Sequence, residues 1–146
     1  MYKNILVCSD GSDNSIKAVR AAADLAKVAG AEVSLLSVFV PSQAYAPTTF
    51  SADGGITLGA YTVDVEGVFG AVEKRAEAVF QEVGIQFRTL RETGHPIDTI
   101  VKVADREKFD LIVMGSRGMG EFKRMLLGSV SDGVLHHAHC AVLIVR

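Results

Sequence analysis

Short, almost unbroken apolar runs, separated by stretches with helical spacing, constrain this chain more than any other feature. "KNILVCS" (3–9), "EVSLLSVFV" (32–40), "FDLIVMG" (109–115) and "AVLIV" (141–145) are strand-length and carry few residues that could face water. Continuous apolar runs of this length suit strands covered on both faces, as in a parallel sheet. A fifth run, "IQFRTLRE" (85–92), alternates Ile85 and Phe87 with Gln86 and Arg88, which predicts a half-exposed strand at a sheet edge.

The intervening segments read as helices. Ser12 or Asp13 can cap a helix in which Ile16, Val19, Ala22, Ala23 and Ala26 share a face, with Gly30 ending it. A second helix is predicted from about Gly67 to Val83, burying Val68, Val72, Ala76, Val79 and Val83. Pro96 suits the first turn of a third helix with a stripe of Ile97, Ile100, Val101 and Ala104. A fourth helix is expected over 130–138. Strand and helix therefore alternate, which implies one doubly wound, Rossmann-like α/β domain with helices on both faces of a parallel sheet. Ligands bind such sheets beyond the carboxyl ends of the strands, where the winding reverses. The loops that matter are then "SDGSDNS" after the first strand and the glycine-rich stretch after the fourth.

Bulk composition narrows the function. With 146 residues, 49% hydrophobic and 22% charged, the chain has the make-up of one globular domain. A net charge of -2 provides no field for nucleic acid. No apolar run approaches the roughly 18 residues a membrane span needs, and no signal-peptide pattern precedes the first strand, so a cytoplasmic protein is expected. Cys8 falls late in the first strand and Cys140 at the start of the last. In a parallel sheet they lie at opposite ends, too far apart to bridge, and both are expected to be free, buried thiols.

The segment 41–64, "PSQAYAPTTFSADGGITLGAYTVD", carries only Asp53 and Asp64 as charges. Its length and composition predict a mobile crossover or a lid, with Tyr45, Phe50 and Tyr61 available to cover a ligand or partner.

"VMGSRGMGEFKRMLLGSVSDGVL" (113–135) raises a sharper possibility. Glycine tolerates positive φ and lets a ligand approach the backbone, so Gly115 and Gly118 can form a nest of inward-facing amides. Gly128-Ser129 then opens a helix whose first N–H groups are unsatisfied, and the hydroxyls of Ser129 and Ser131 can add donors. The arrangement suits a polyphosphate, although glycine composition alone favours a flexible surface turn. It is neither a Walker loop nor the dinucleotide fingerprint.

The same stretch is similar to the Gly-x-x-Gly-x9-Gly-Ser/Thr signature of the ATP-binding branch of the universal stress protein family. "ILVCSDGSDNSIKAVRAAADLA", "TGHPIDTIVKVADREKFDLIVMGSRG" and "HAHCAVLIVR" resemble other blocks of that family, leaving only 41–64 uncovered. Ala141 stands where many members have Pro. The resemblance implies a five-stranded sheet of order 3-2-1-4-5. It places Asp10 by the ribose or a metal and Val38 by the adenine. Around the phosphates it places the backbone of Met114, Gly115, Gly118, Gly128, Ser129 and Val130, next to which the Ser131 hydroxyl is the further candidate donor. It implies ATP with Mg²⁺ as ligand and a homodimer formed through the last strand (Val142, Leu143, Ile144, Val145), whose apolar edge would otherwise stay open.

Electrostatics limits how ATP could sit. One like-charge pair 5 Å apart costs roughly 3 kcal/mol at an effective dielectric of 20. Asp10 must therefore accept from sugar hydroxyls or share a cation with the phosphates. Arg117, Lys123 and Arg124 read as solvated loop charges. "HHAHC" (136–140) crosses from a helix end into a strand, and its spacing does not match a zinc site. His95 reads as a helix-entry residue and Asp132 as a carboxylate suited to a helix start. These readings favour a nucleotide-dependent regulatory or stress-response dimer. A slow ATPase or adenylate-using enzyme, and a nucleotide-free interaction module, are the alternatives.

Overall fold

The computed structural model describes residues 1–41, 48–50, 56–58, 61–118 and 127–146. Its elements follow in the order β1 (Asn4–Cys8), α1 (Asp13–Ala29), β2 (Glu32–Phe39), β3 (Thr48–Phe50), β4 (Ile56–Leu58), β5 (Tyr61–Val63), α2 (Val65–Val83), β6 (Arg88–Thr93), α3 (Pro96–Arg106), β7 (Leu111–Gly115), α4 (Ser129–His137) and β8 (Ala141–Val145). The main sheet runs β6-β2-β1-β7-β8, every pairing parallel, which is the order 3-2-1-4-5 counted over its own five strands.

Period-two alternation along the central strands divides the core between two faces. Ile5, Val7, Leu35 and Val113 face α1 and α2; Leu6, Leu36 and Ile112 face α3 and α4. Continuous apolar runs were required because both faces are covered. Ser12 caps α1, its side chain accepting from Ser15 N, and Gly30 ends the helix in the left-handed conformation at φ 66°. Ala18, Ala22 and Ala23 are fully buried, so the backbone of α1 lies close on the sheet. Pro96 stands in the first turn of α3, as its fixed φ favours.

Several boundaries and faces differ from the sequence-based expectation. Helix α2 begins at Val65 with Asp64 as its cap, and Phe69 rather than Val68 joins Val72, Ala76, Val79 and Val83 in the core. Val68 is 42% exposed. Two adjacent residues on a helix point about 100° apart, so only one can join the stripe. Phe69 wins through an edge-on contact with Phe39 at 6.5 Å and the Arg91 guanidinium 5.4 Å above its ring. In α3, Val103 is buried and Val101 only half-buried. The edge strand starts at Arg88, not residue 85. Ile85 and Phe87 still pack on the core, Phe87 stacking on Phe80 at 4.2 Å. Helix α4 starts one residue earlier than expected and stops at His137.

The crossover 41–64, expected to be a mobile loop, contains an antiparallel three-stranded sheet of order β3-β4-β5. The alternating Thr, Phe, Ile and Tyr residues of these strands have the β propensity to form it. Phe50 ends β3 and Tyr61 begins β5, while Tyr45 lies outside the described residues. Both cysteines are free and only half-buried rather than buried. Among the described residues no helix is long and apolar enough to cross a membrane.

Candidate functional site

Strands β1 and β7 are neighbours, and the helices that follow them lie on opposite faces, so their carboxyl ends open a cleft. The first wall is the turn between β1 and α1, ordered by small polar residues. Ser15 Oγ donates to Ser12 O at 2.9 Å, so the 2.8 Å contact between Ser9 and Ser15 hydroxyls is donated by Ser9. Ser9 Oγ in turn accepts from Gly11 N at 3.2 Å. Gly11 has φ 83°, and a Cβ there would meet Val72 Cγ2 at 3.3 Å. Asp10 Oδ1 accepts from Ser12 N at 2.9 Å, which orients its carboxylate at the mouth of the cleft. From α2, Arg75 donates to Gly11 O and, at 2.5 Å, to Asp13 Oδ1. That hydrogen bond, with the guanidinium charge, holds the Asp13 carboxyl below the usual carboxylate range.

One end of the cleft is apolar. Leu36 and Val38 reach it from the same face of β2, joined by Val40 and, from the start of α3, by Pro96 and Ile100 one turn on. Cys8 stands among them, and burial pushes its thiol up to about 12, so it stays protonated at neutral pH.

The other end is where β7 gives way to the glycine segment. A Cβ on Gly115 would sit 2.9 Å from Asn14 O and 3.0 Å from Asn14 C, so this glycine admits the first turn of α1. A Cβ on Gly118 would come 2.5 Å from Asp10 Oδ2. Neither glycine has positive φ, a conformation that among the described glycines falls at Gly11, Gly30, Gly84 and Gly94. The glycines at the candidate anion end therefore supply space rather than a left-handed turn. Gly128 caps α4 with φ -72°, and its N–H donates to Ser116 O at 2.6 Å. The Ser131 hydroxyl donates to the same carbonyl at 2.7 Å and lies 3.1 Å from Gly128 O. It is thus already engaged within the protein.

Of the residues singled out from sequence, Asp10, Val38, Met114, Gly115, Gly118, Gly128, Val130 and Ser131 all line this one cleft. Ser129 does not; it is the exposed first residue of α4. Arg117, read as a solvated charge, is half-buried and lines the cleft. Lys123 and Arg124 fall outside the described residues. Sequence reasoning missed Leu36, Val40 and Ile100. Leu36 and Val40 follow from Val38 by the period-two rule, and Ile100 from Pro96 by helical spacing.

The histidines go elsewhere. His136 Nδ1 lies 2.8 Å from Asp132 O and His137 Nδ1 2.7 Å from Gly133 O. A carbonyl only accepts, so both rings carry a proton on Nδ1. His139 Nδ1 instead meets Asp105 Oδ2 at 2.9 Å. Among the described residues no three His, Cys, Asp or Glu side chains converge as metal ligands.

A five-stranded parallel sheet in this order, with a half-apolar, half-glycine cleft at its switch point, defines a Rossmann-like α/β protein with a candidate small-molecule site. The chain belongs to the universal stress protein family, whose family model matches residues 1–146. It is 36% identical over 146 residues to Universal stress protein MJ0531 of Methanocaldococcus jannaschii, a match covering 100% of this chain and 83% of that protein. It is 37% identical over 153 residues to Universal stress protein YxiE of Bacillus subtilis, covering 100% of both. Among solved structures, a universal stress protein in complex with cAMP matches at a TM-score of 0.70 and 29% identity, over 99% of this chain and 97% of that one.

Proposed function

We propose that the cleft binds an adenine nucleotide, ATP with Mg²⁺, and that the chain acts as a cytoplasmic, nucleotide-dependent regulatory dimer in stress response. The observation that carries this reading is the polarity of the cleft. An apolar end at Leu36, Val38 and Ile100 leads past one carboxylate, Asp10, to glycines Gly115, Gly118 and Gly128 beside the start of α4. That sequence of environments suits a base, a ribose and a phosphate chain.

In this assignment Val38 packs on the adenine, and Asp10 accepts from ribose hydroxyls or shares the cation. Met114, Gly115, Gly118, Gly128 and Val130 surround the phosphates, with Ser129 flanking them and Ser131 behind. The N–H of Gly128 is spent on Ser116 O, so its contribution is close approach, and the donors are the following amides of the first turn of α4. Mg²⁺ fits a site of this kind, because it takes one or two carboxylates with phosphate oxygens and water rather than a protein cage. Bound there, it would neutralise phosphate charge near Asp10. Asp10 and Arg117 are the charged side chains among the described cleft residues, which supports binding rather than turnover. A relative of nearly the same extent is known with cAMP, so a cyclic monophosphate belongs to the same class of candidate ligand.

For the dimer, β8 has β7 on one side only among the described residues, and Leu143 is 38% exposed on this strand, which carries no charged residue. Native mass spectrometry of freshly purified protein, followed by calorimetric titration with ATP, ADP, AMP and cAMP, tests the whole reading. A dimer mass with retained or titratable adenine nucleotide is expected. A chain that takes up none of these ligands, with or without Mg²⁺, refutes the nucleotide assignment.

A further inference from the structure

We infer that Ser131 is a positioning residue: its hydroxyl closes the base of the glycine segment and thereby selects ligands that carry a phosphate chain. The inference rests on the adenine-nucleotide reading above and assigns Ser131 a part in it that involves no contact with ligand.

Ser131 is 2% exposed, and its hydroxyl makes its shorter hydrogen bond to Ser116 O. A serine in the first turn of a helix commonly bonds back to the carbonyl three residues earlier, which ties nothing outside the helix. Here the bond across the segment is the shorter, 2.7 Å against 3.1 Å to Gly128 O, and it joins residues 15 apart in sequence. Ser116 O also accepts from Gly128 N at 2.6 Å, while Ser116 N donates to Val145 O at 2.8 Å. Ser116, itself 3% exposed, is therefore a fixed node between β7 and β8 to which the returning end of the segment is fastened twice.

The fastening sets one distance that matters. Gly118 leaves the node two residues after Ser116, and the first amides of α4 enter beside it. A phosphate chain held by main-chain groups meets donors that cannot reach out as an arginine does, so shifts of about 0.5 Å in their spacing are felt. The base meets the apolar end of the cleft, at Leu36 and Val38, neither of which the clasp hydrogen-bonds, and Asp10 lies between that end and Gly118. Loss of the Ser131 hydroxyl should therefore weaken phosphate-bearing ligands and spare the nucleoside.

The test is Ser131→Ala in the full chain, titrated calorimetrically with Mg-ATP and with adenosine, alongside amide hydrogen exchange at Gly128. The expected result is roughly a tenfold loss of ATP affinity, about 1.4 kcal/mol. Adenosine affinity should stay unchanged, and the Gly128 amide should exchange faster than in the wild type. Equal losses for both ligands would mean general loosening and overturn the inference, as would unchanged ATP affinity. If the wild type binds neither ligand, the nucleotide reading falls and the inference falls with it. If the wild type binds ATP and the variant keeps that affinity, only the inference falls.

Discussion

Replacing Gly118 by alanine separates folding from ligand binding, because of what the new methyl group meets. Its Cβ would lie 2.5 Å from Asp10 Oδ2 and 3.6 Å from Asp10 Cγ. The backbone itself tolerates alanine, since φ at Gly118 is not positive. The obstructing atom is the tip of an exposed side chain, so rotation of Asp10 relieves the clash at little cost to the fold. Exposed substitutions of this kind usually change stability by no more than about 0.5 kcal/mol. In a chain of this size that moves the thermal midpoint by about 2 °C or less. Binding should suffer more, because a rotated Asp10 leaves the place where it would accept from the ribose or share the cation. A hydrogen bond to a charged group is worth roughly 1.5–3 kcal/mol, which weakens ATP by roughly 10- to 150-fold. Calorimetric titration of wild type, Gly118→Ala, Asp10→Ala and the double variant closes the cycle. If the methyl acts through Asp10, Gly118→Ala costs almost nothing further once Asp10 is alanine. Additive losses would refute that reasoning and show that Gly118 meets the ligand directly.

Other perturbations test other parts of the structure. Gly115→Ala sets a methyl group against the Asn14 backbone, which cannot rotate away. It should cost about 1–3 kcal/mol of stability by overpacking, and an unchanged urea midpoint would contradict the close approach of α1. Arg91 hydrogen-bonds Glu73 and Glu66 and lowers the pKa of Glu73, chiefly through the hydrogen bond. A lowered carboxyl pKa contributes stability that is present above the unfolded value and lost as pH falls through the folded one. Arg91→Met should therefore lower the thermal midpoint at pH 6 more than at pH 3, and an equal loss at both would refute the pairing. Leu143→Asp should convert the proposed dimer to monomer in light scattering after size exclusion; a dimer that persists would place the interface away from β8.

Much of this architecture was legible because burial on two faces leaves little choice of residue. "NILVC" and "LIVMG" became β1 and β7 because a strand with helices on both sides has no water to satisfy a polar side chain. The half-polar β6 went to an edge for the converse reason. Capping was local enough to read, as at Ser12 and Gly30. The register of α2 was not, since Val68 and Phe69 are both apolar and adjacent. Only contacts with Phe39 and Arg91, supplied by other strands, favour Phe69. The small sheet β3-β4-β5 was hidden in a segment whose Gly, Ser and Pro content resembles that of a loop.

The residues of the candidate site were mostly visible in the one-dimensional pattern, because glycines spaced about a helix start are a local signal. Their individual duties were not. Gly115 gives room to the backbone of α1, Gly118 to Asp10, and Ser131 makes its shorter hydrogen bond to Ser116 O. Arg75 holds the Asp10-bearing turn from a helix more than 60 positions away. Periodicity and propensity act within a few residues, so they determine which elements form and which faces they bury. What an atom touches depends on chain segments brought together only when the sheet is wound, and that was decided by tertiary packing alone.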